Sequence, residues 1–190
     1  HDIHTFVAAQ IYGVPMQEVT PAMRSKAKGV NFGIIYGQGP FGLAKNIGIS
    51  QQEAKRFIDE YFARYKSIRA FMDETIRKTR TLGYAETILG RRRPITGLDS
   101  RNYTVRSQAE RLAVNTVIQG SAADLIKVAM VNIHRRIEKE KSPVKMILQI
   151  HDELVFELPQ TLAESAAQWI AAEMTGAIAL KAPLKVDVNV

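Results

Sequence analysis

Cysteine is absent from all 190 residues. Disulfides, thiolate zinc sites and cysteine nucleophiles are therefore excluded, and the absence fits a reducing compartment. No apolar run of about 18 residues exists, so no segment reads as a membrane span, and no signal-peptide pattern is visible. Internal repeats and low-complexity stretches are also lacking. Acidic residues are missing from one stretch in particular: Arg24 to Lys45 holds four basic residues and no Asp or Glu. Apolar residues, by contrast, make up 46% of the chain, enough for a packed core. The length suits one large domain or two small ones. The chain opens on His1 rather than Met, which reads as a cut from something longer or a processed product.

The formal net charge is +7, and its distribution is uneven. Arg77 to Arg111 carries nine Lys/Arg against three acids, whereas Asp152 to Val190 carries six acids against two lysines. A basic segment can bind a polyanion through phosphate contacts or simply be a solvated surface. Composition leaves both open.

Local signals predict a mainly helical first half. Thr20-Pro21 reads as an N-cap and helix-opening proline, with the helix running to about Tyr36. Gly37, Gly39 and Pro40 end it. Ser50 and Glu53 form a capping-box pair at the head of a long amphipathic stretch from Phe57 to Ile76, ended by Gly83. Tyr84 to Ile95 reads as a hairpin around Leu89-Gly90. Helix is expected from about Ser100 to Val117, broken at Gly120, with Ser121 and Asp124 capping another helix to about Lys141. Val144–Ile150 and Glu153–Leu158 read as a β-hairpin. Thr161 with Glu164 is expected to cap a further helix. Alternation from Leu184 to Val190 predicts a half-buried strand. The expected fold class is α+β: a helical part, then helices packed on a small antiparallel sheet.

Within the predicted first helix, Arg24, Lys28, Phe32 and Tyr36 recur every four residues. Four residues advance a helix by about 400°, so successive members drift only about 40° and share one broad face. Two cations lead to two aromatics, matching the polarity of a nucleotide: charged tail, then sugar and flat base. The positive helix N-terminus adds to phosphate attraction. Gly29, Gly33 and Gly37 form a second row, which suggests close approach of something to the backbone. Ordinary helix packing, with Phe32 and Tyr36 in a core and the cations in water, fits the same spacing.

In "QIHDELVFE", Asp152 and Glu153 lie between two apolar strands. A hairpin tip holds carboxylates exposed and fixed, which suits a hard cation such as Mg²⁺. Asp is also simply a good turn residue. Two-metal phosphoryl transfer needs more than one carboxylate source, so a second should exist elsewhere.

These segments together resemble a known family. "RSKAKGVNFGIIYG" (Arg24 to Gly37) resembles the nucleotide-binding motif of family A DNA polymerases, the bacterial DNA polymerase I type. "QIHDELVFE" resembles their carboxylate hairpin, and "RLAVNTVIQGSAADLIK" their palm helix. "DIHT" and "GRRRP" fit in the same order.

The resemblance implies fingers at about 1–105 and the distal palm at 106–190. It implies dNTP contacts from His4, Arg24, Lys28, Phe32 and Tyr36, with Lys28 also catalytic. Phe32 is implied to pack on the sugar and base, biasing discrimination at the 3′ position, and Tyr36 to lie beside the templating base. Asp152 is implied as a metal ligand for two Mg²⁺ in the intact enzyme, and Glu153 as a secondary catalytic acid. Arg111, Asn115, Gln119 and His151 are implied to contact primer–template DNA. A monomeric, cytoplasmic, nucleoid-associated bacterial enzyme of replication and repair, without an obligate protein partner, follows.

The family's other catalytic aspartate lies in a "DYSQIE"-like motif that these residues do not include. Thumb and exonuclease segments are not among them either. The isolated chain is therefore expected to be inactive or nearly so. A non-catalytic basic DNA-binding module would explain the basic segment but not the stripe or hairpin. A different phosphotransferase or nuclease would need more clustered acids.

Overall fold

The computed structural model describes residues 2–189. The chain divides into two compact units, His1–Glu86 with Arg92–Thr116, and Thr87–Arg91 with Val117–Val190. The fold is α+β, as the sequence predicts.

The first unit contains α1 (Ile3–Tyr12), α2 (Pro21–Ile35), α3 (Pro40–Ile47), α4 (Gln51–Arg64), α5 (Lys66–Leu82), the short antiparallel pair β1 (Tyr84–Glu86) and β2 (Arg92–Pro94), and the start of α6 (Tyr103–Glu140). Thr20 caps α2 as predicted, its hydroxyl accepting from Met23 N, with Pro21 at the first helical position. Ser50 and Glu53 make the expected capping box. The core gathers Val7 and Ala8 of α1, Ala27, Val30 and Ile34 of α2, Leu43, Ala54 and Tyr61.

The amphipathic stretch after Ser50 is two helices rather than one. Tyr65 (φ −106°, ψ 57°) ends α4 and opens α5. Its stripe joins the core only as far as Ile68. Beyond that Phe71 is exposed, and α5 buries Thr75 and Thr79 instead. The two halves of one periodic pattern thus serve different surfaces. Pro40, predicted to stop α2, also starts α3.

The second unit holds the rest of α6, the hairpin β3 (Lys145–Ile150) and β4 (Glu153–Glu157), and α7 (Ala163–Thr175). Ile133, Val144, Ala166 and Ile170 form its core, with Leu154, Phe156 and Trp169 packed against them.

The break expected at Gly120 does not occur: α6 runs unbroken for 38 residues. Glycine weakens a helix by about 1 kcal/mol without forbidding it. Here it makes room, since a Cβ at 120 would lie 2.6 Å from Thr87 Cγ2. The expected cap residues dock the 87–91 loop instead. Ser121 Oγ accepts from Ile88 N at 2.9 Å and donates to Val117 O one turn back. Asp124, 6% exposed, pairs with Arg91 Nε at 2.8 Å and accepts from Thr87 Oγ1. Arg91 Nη2 also donates to Gly120 O.

Two further expectations are corrected. Thr161 sits inside a 3₁₀ turn, Gln160–Leu162, and α7 has no side-chain cap. Leu184 to Asn189 forms no strand, because no described segment pairs with it. Val190 lies outside the described residues.

Candidate nucleotide and nucleic-acid site

Helix α2 has two faces with opposite duties. Ala27, Val30, Asn31 and Ile34 are buried at helical spacing, while Arg24, Lys28 and Phe32 are exposed and Tyr36 is half-buried. The packing alternative predicted Phe32 and Tyr36 in a core; Phe32 is 42% exposed. The rings of Phe32 and Tyr36 lie 6.0 Å apart and 16° from parallel. Lys28 Nζ stands 5.9 Å from the Phe32 ring centre. From the N-terminal end, the face therefore passes from charge to a continuous aromatic surface.

Helix α1 closes one side of this face. The His4 ring lies 5.9 Å from that of Phe32. Its Nδ1 is 2.9 Å from Asn31 Nδ2. Asp2 caps α1, accepting from His4 N at 3.0 Å and from Thr5 Oγ1 at 2.7 Å. The same carboxylate pairs with Arg24 Nε. The Arg24 hydrogen bond, followed by that from Thr5, holds the Asp2 carboxyl well below the usual carboxylate range. Thus α1 brings His4 to the stripe and occupies Arg24. Lys28 has no ion-pair partner among the described residues.

The glycine row has three different explanations. Gly37 adopts φ +81°, where L side chains are strained, and a Cβ there would sit 2.7 Å from Arg111 Cγ. A Cβ at Gly33 would collide with the Gln38 side chain, and Gly29 faces open space. The close approach inferred from the row is made by the chain itself at two of the positions.

The second constellation sits on the β3–β4 hairpin. Ile150 pairs with Glu153, leaving His151-Asp152 as a two-residue turn. His151 takes φ +54°, a conformation in which Asn, Asp and His are the enriched non-glycine residues. This is why the hairpin forms without Asn-Gly. His151, Asp152 and Glu153 are all exposed, and neither carboxylate makes an ion pair among the described residues. They offer the hard oxygen donors that Mg²⁺ takes. Among the described residues no group of three His, Asp or Glu is clustered for a metal, so the hairpin fits one arm of such a centre. Leu148 and Ile150 are also exposed, on the hairpin face opposite the helical core.

Arg111, Asn115 and Gln119 all lie on α6. Arg111 Nη1 donates to Ser107 Oγ at 2.7 Å. Asn115 Oδ1 is buried without a hydrogen-bond partner among the described residues, and Gln119 is exposed. Among the described residues, no helix is long and apolar enough to cross a membrane.

Sequence reasoning passed over Asp2, Asn31 and Gln38. Asn31 had a signal: it interrupts the apolar face formed by 27, 30 and 34. Asp2 is a helix cap whose pairing with Arg24, 22 residues away, no local pattern encodes. Gln38 Oε1 is buried and has no hydrogen-bond partner among the described residues.

Known proteins resemble this chain over nearly its whole length. DNA polymerase I of Bacillus caldotenax is 45% identical over 186 residues, which cover 98% of this chain and 21% of that protein. DNA polymerase I of Bacillus subtilis strain 168 matches with the same identity and coverage. The chain thus spans about a fifth of the length of these curated relatives. The solved POL domain of Pol1 from M. smegmatis, in complex with DNA primer-template and dNTP, superposes with a TM-score of 0.89 at 41% identity. That match covers 97% of this chain and 33% of the other. The model of DNA polymerase family A matches residues 1–190, and the chain belongs to that family.

Proposed function

We propose that the chain forms the fingers (1–105) and distal palm (106–190) of a template-directed DNA polymerase, and that α2 grips the incoming dNTP. The observation that carries this reading is the exposed face running from Arg24 and Lys28 to the paired rings of Phe32 and Tyr36. Arg24, Lys28 and His4 take the triphosphate. Phe32 packs on the sugar and base, and Tyr36 lies beside the templating base. Lys28 also acts catalytically, as a cation meeting the charge that develops on the departing phosphates.

Arg24 must first exchange the Asp2 carboxylate for phosphate oxygens. Exposed ion pairs are weak and screened by salt, so a multiply charged triphosphate competes well for the guanidinium. Asp152, with Glu153 beside it, would hold Mg²⁺. When bound, two such ions supply the acidity that activates the primer 3′-hydroxyl and the charge that stabilises pyrophosphate. Asn115 and Gln119 amides suit minor-groove acceptors, whose degenerate pattern lets shape be checked without reading sequence. Arg111 and His151 complete the primer–template contacts. The similarity to a polymerase domain solved with DNA primer-template and dNTP supports these partners. The bacterial relatives support a cytoplasmic, nucleoid-associated enzyme of replication and repair; the intact enzyme works as a monomer.

The test is made in the full-length protein. Lys28→Ala and Arg24→Ala each reduce kcat/KM for dNTP by about tenfold or more, the loss of a charge-assisted contact. The Kd for primer–template stays within about twofold, since no DNA-contacting group is removed. Equal losses in both quantities count against α2 as the triphosphate site.

A further inference from the structure

Asn31 is an anomaly in its surroundings. It is 2% exposed, among Ala27, Val30 and Ile34 on the buried face of α2. Its Oδ1 has no hydrogen-bond partner among the described residues. A leucine would fill such a place without orphaning a polar atom, and buried polar groups left unpaired demand a reason. The only hydrogen bond of the Asn31 amide among the described residues runs from Nδ2 to His4 Nδ1 at 2.9 Å.

That contact has a chemical consequence. In this structure the amide turns its NH₂ toward the ring, and with that orientation Nδ1 of His4 is the acceptor. A neutral imidazole that accepts at Nδ1 carries its proton on Nε2. The ring is then a fixed donor rather than a mixture of tautomers, and it stands 5.9 Å from Phe32, beside the exposed face of α2. Phosphate oxygens require a donor; a bare ring nitrogen would repel them.

We propose that Asn31 is a positioning residue of the nucleotide grip. From inside the core it fixes the tautomer and orientation of His4, so that Nε2–H meets the triphosphate. This rests on the reading of His4 as a triphosphate ligand and adds the device that prepares it.

The test is a double-mutant cycle in the full-length protein, with Asn31→Leu, His4→Ala and their combination. KM for dNTP, kcat, and Kd for primer–template are measured for each. His4→Ala raises KM by about tenfold. Asn31→Leu raises KM to a similar degree, with kcat and DNA Kd within about twofold of wild type, and the combined variant is no worse than His4→Ala. Losses that multiply, or a wild-type KM for Asn31→Leu, overturn the inference.

A second variant leaves Asn31 in place: histidine at position 4 replaced by its Nδ1-methyl form, whose neutral ring can neither accept from Asn31 nor carry a proton on Nε2. Its KM rises as in His4→Ala, and an unchanged KM overturns the inference even if Asn31→Leu does not fold. If His4→Ala itself has a wild-type KM, the triphosphate reading of His4 fails, and the inference with it. That result is distinct from a His4 effect that does not depend on Asn31.

Discussion

Replacing Asp124 tests how the 87–91 loop is held. Asp124 is 6% exposed and accepts from Arg91 Nε at 2.8 Å and from Thr87 Oγ1. Asp124→Ala removes both. A hydrogen bond to a charged group contributes about 1.5–3 kcal/mol, and the lower end applies because the Arg91 side chain is 48% exposed. The Thr87 contact adds about 1 kcal/mol, giving a loss of about 2.5 kcal/mol. Asp124→Asn keeps an acceptor for Thr87 but loses the charge facing Arg91, and costs about half as much.

The assay is amide hydrogen exchange in the full-length protein, followed at residues 87–91 and the α6 segment beneath them. Opening should become about 30–100-fold more frequent in Asp124→Ala, with Asp124→Asn between it and wild type. The pH dependence has a definite sign. Burial pushes the Asp124 carboxyl up, but the Thr87 and Arg91 hydrogen bonds outweigh it, and the net shift is below the ordinary 3.8. A depressed carboxyl stabilises the fold fully above its unfolded value. That contribution disappears as pH falls below 3.8 and through the folded pKa. Wild type loses it there, and Asp124→Asn has none to lose. Exchange in Asp124→Ala within about twofold of wild type would refute the reasoning, since that is under 0.5 kcal/mol.

Further outcomes follow from other features. Gly37→Ala in the full-length protein places a Cβ at φ +81° and 2.7 Å from Arg111 Cγ; it should cost about 1–3 kcal/mol, read as a lowered denaturation midpoint. The purified 190-residue chain should give no template-directed primer extension with Mg²⁺ and dNTP, because on the proposed reading Asp152 and Glu153 would supply one arm of a two-ion centre and no metal-binding cluster of three such groups exists among the described residues. Measurable extension would show that the carboxylates present suffice.

Much of the fold was legible where a signal is local. Thr20-Pro21 and the Ser50/Glu53 box act within one helical turn, and both form as written. The same chemistry misled at 120–124, where Gly-Ser-x-x-Asp has the form of a break and cap. Those residues are recruited by a loop 29 or more residues away in sequence, and the helix runs through them. Tertiary contacts decided between two uses of the same side chains. The stripe from Arg24 to Tyr36 was legible because helical spacing alone fixes its face. The support for it was not: Asp2 and His4 reach α2 only through the packing of α1 against it. The C-terminal alternation was real as a pattern, but a strand needs a neighbour, and periodicity does not report one.

The exposed ring of Phe32 has a thermal consequence. With 42% of the residue in water, any nucleotide that covers it also sheds hydration from apolar surface. Binding at this helix should carry a negative heat-capacity change in titration calorimetry across a range of temperatures. A triphosphate without a base, held by the cations alone, should show a much smaller one. The slope of enthalpy against temperature would then separate the aromatic end of the grip from its charged end without altering a residue.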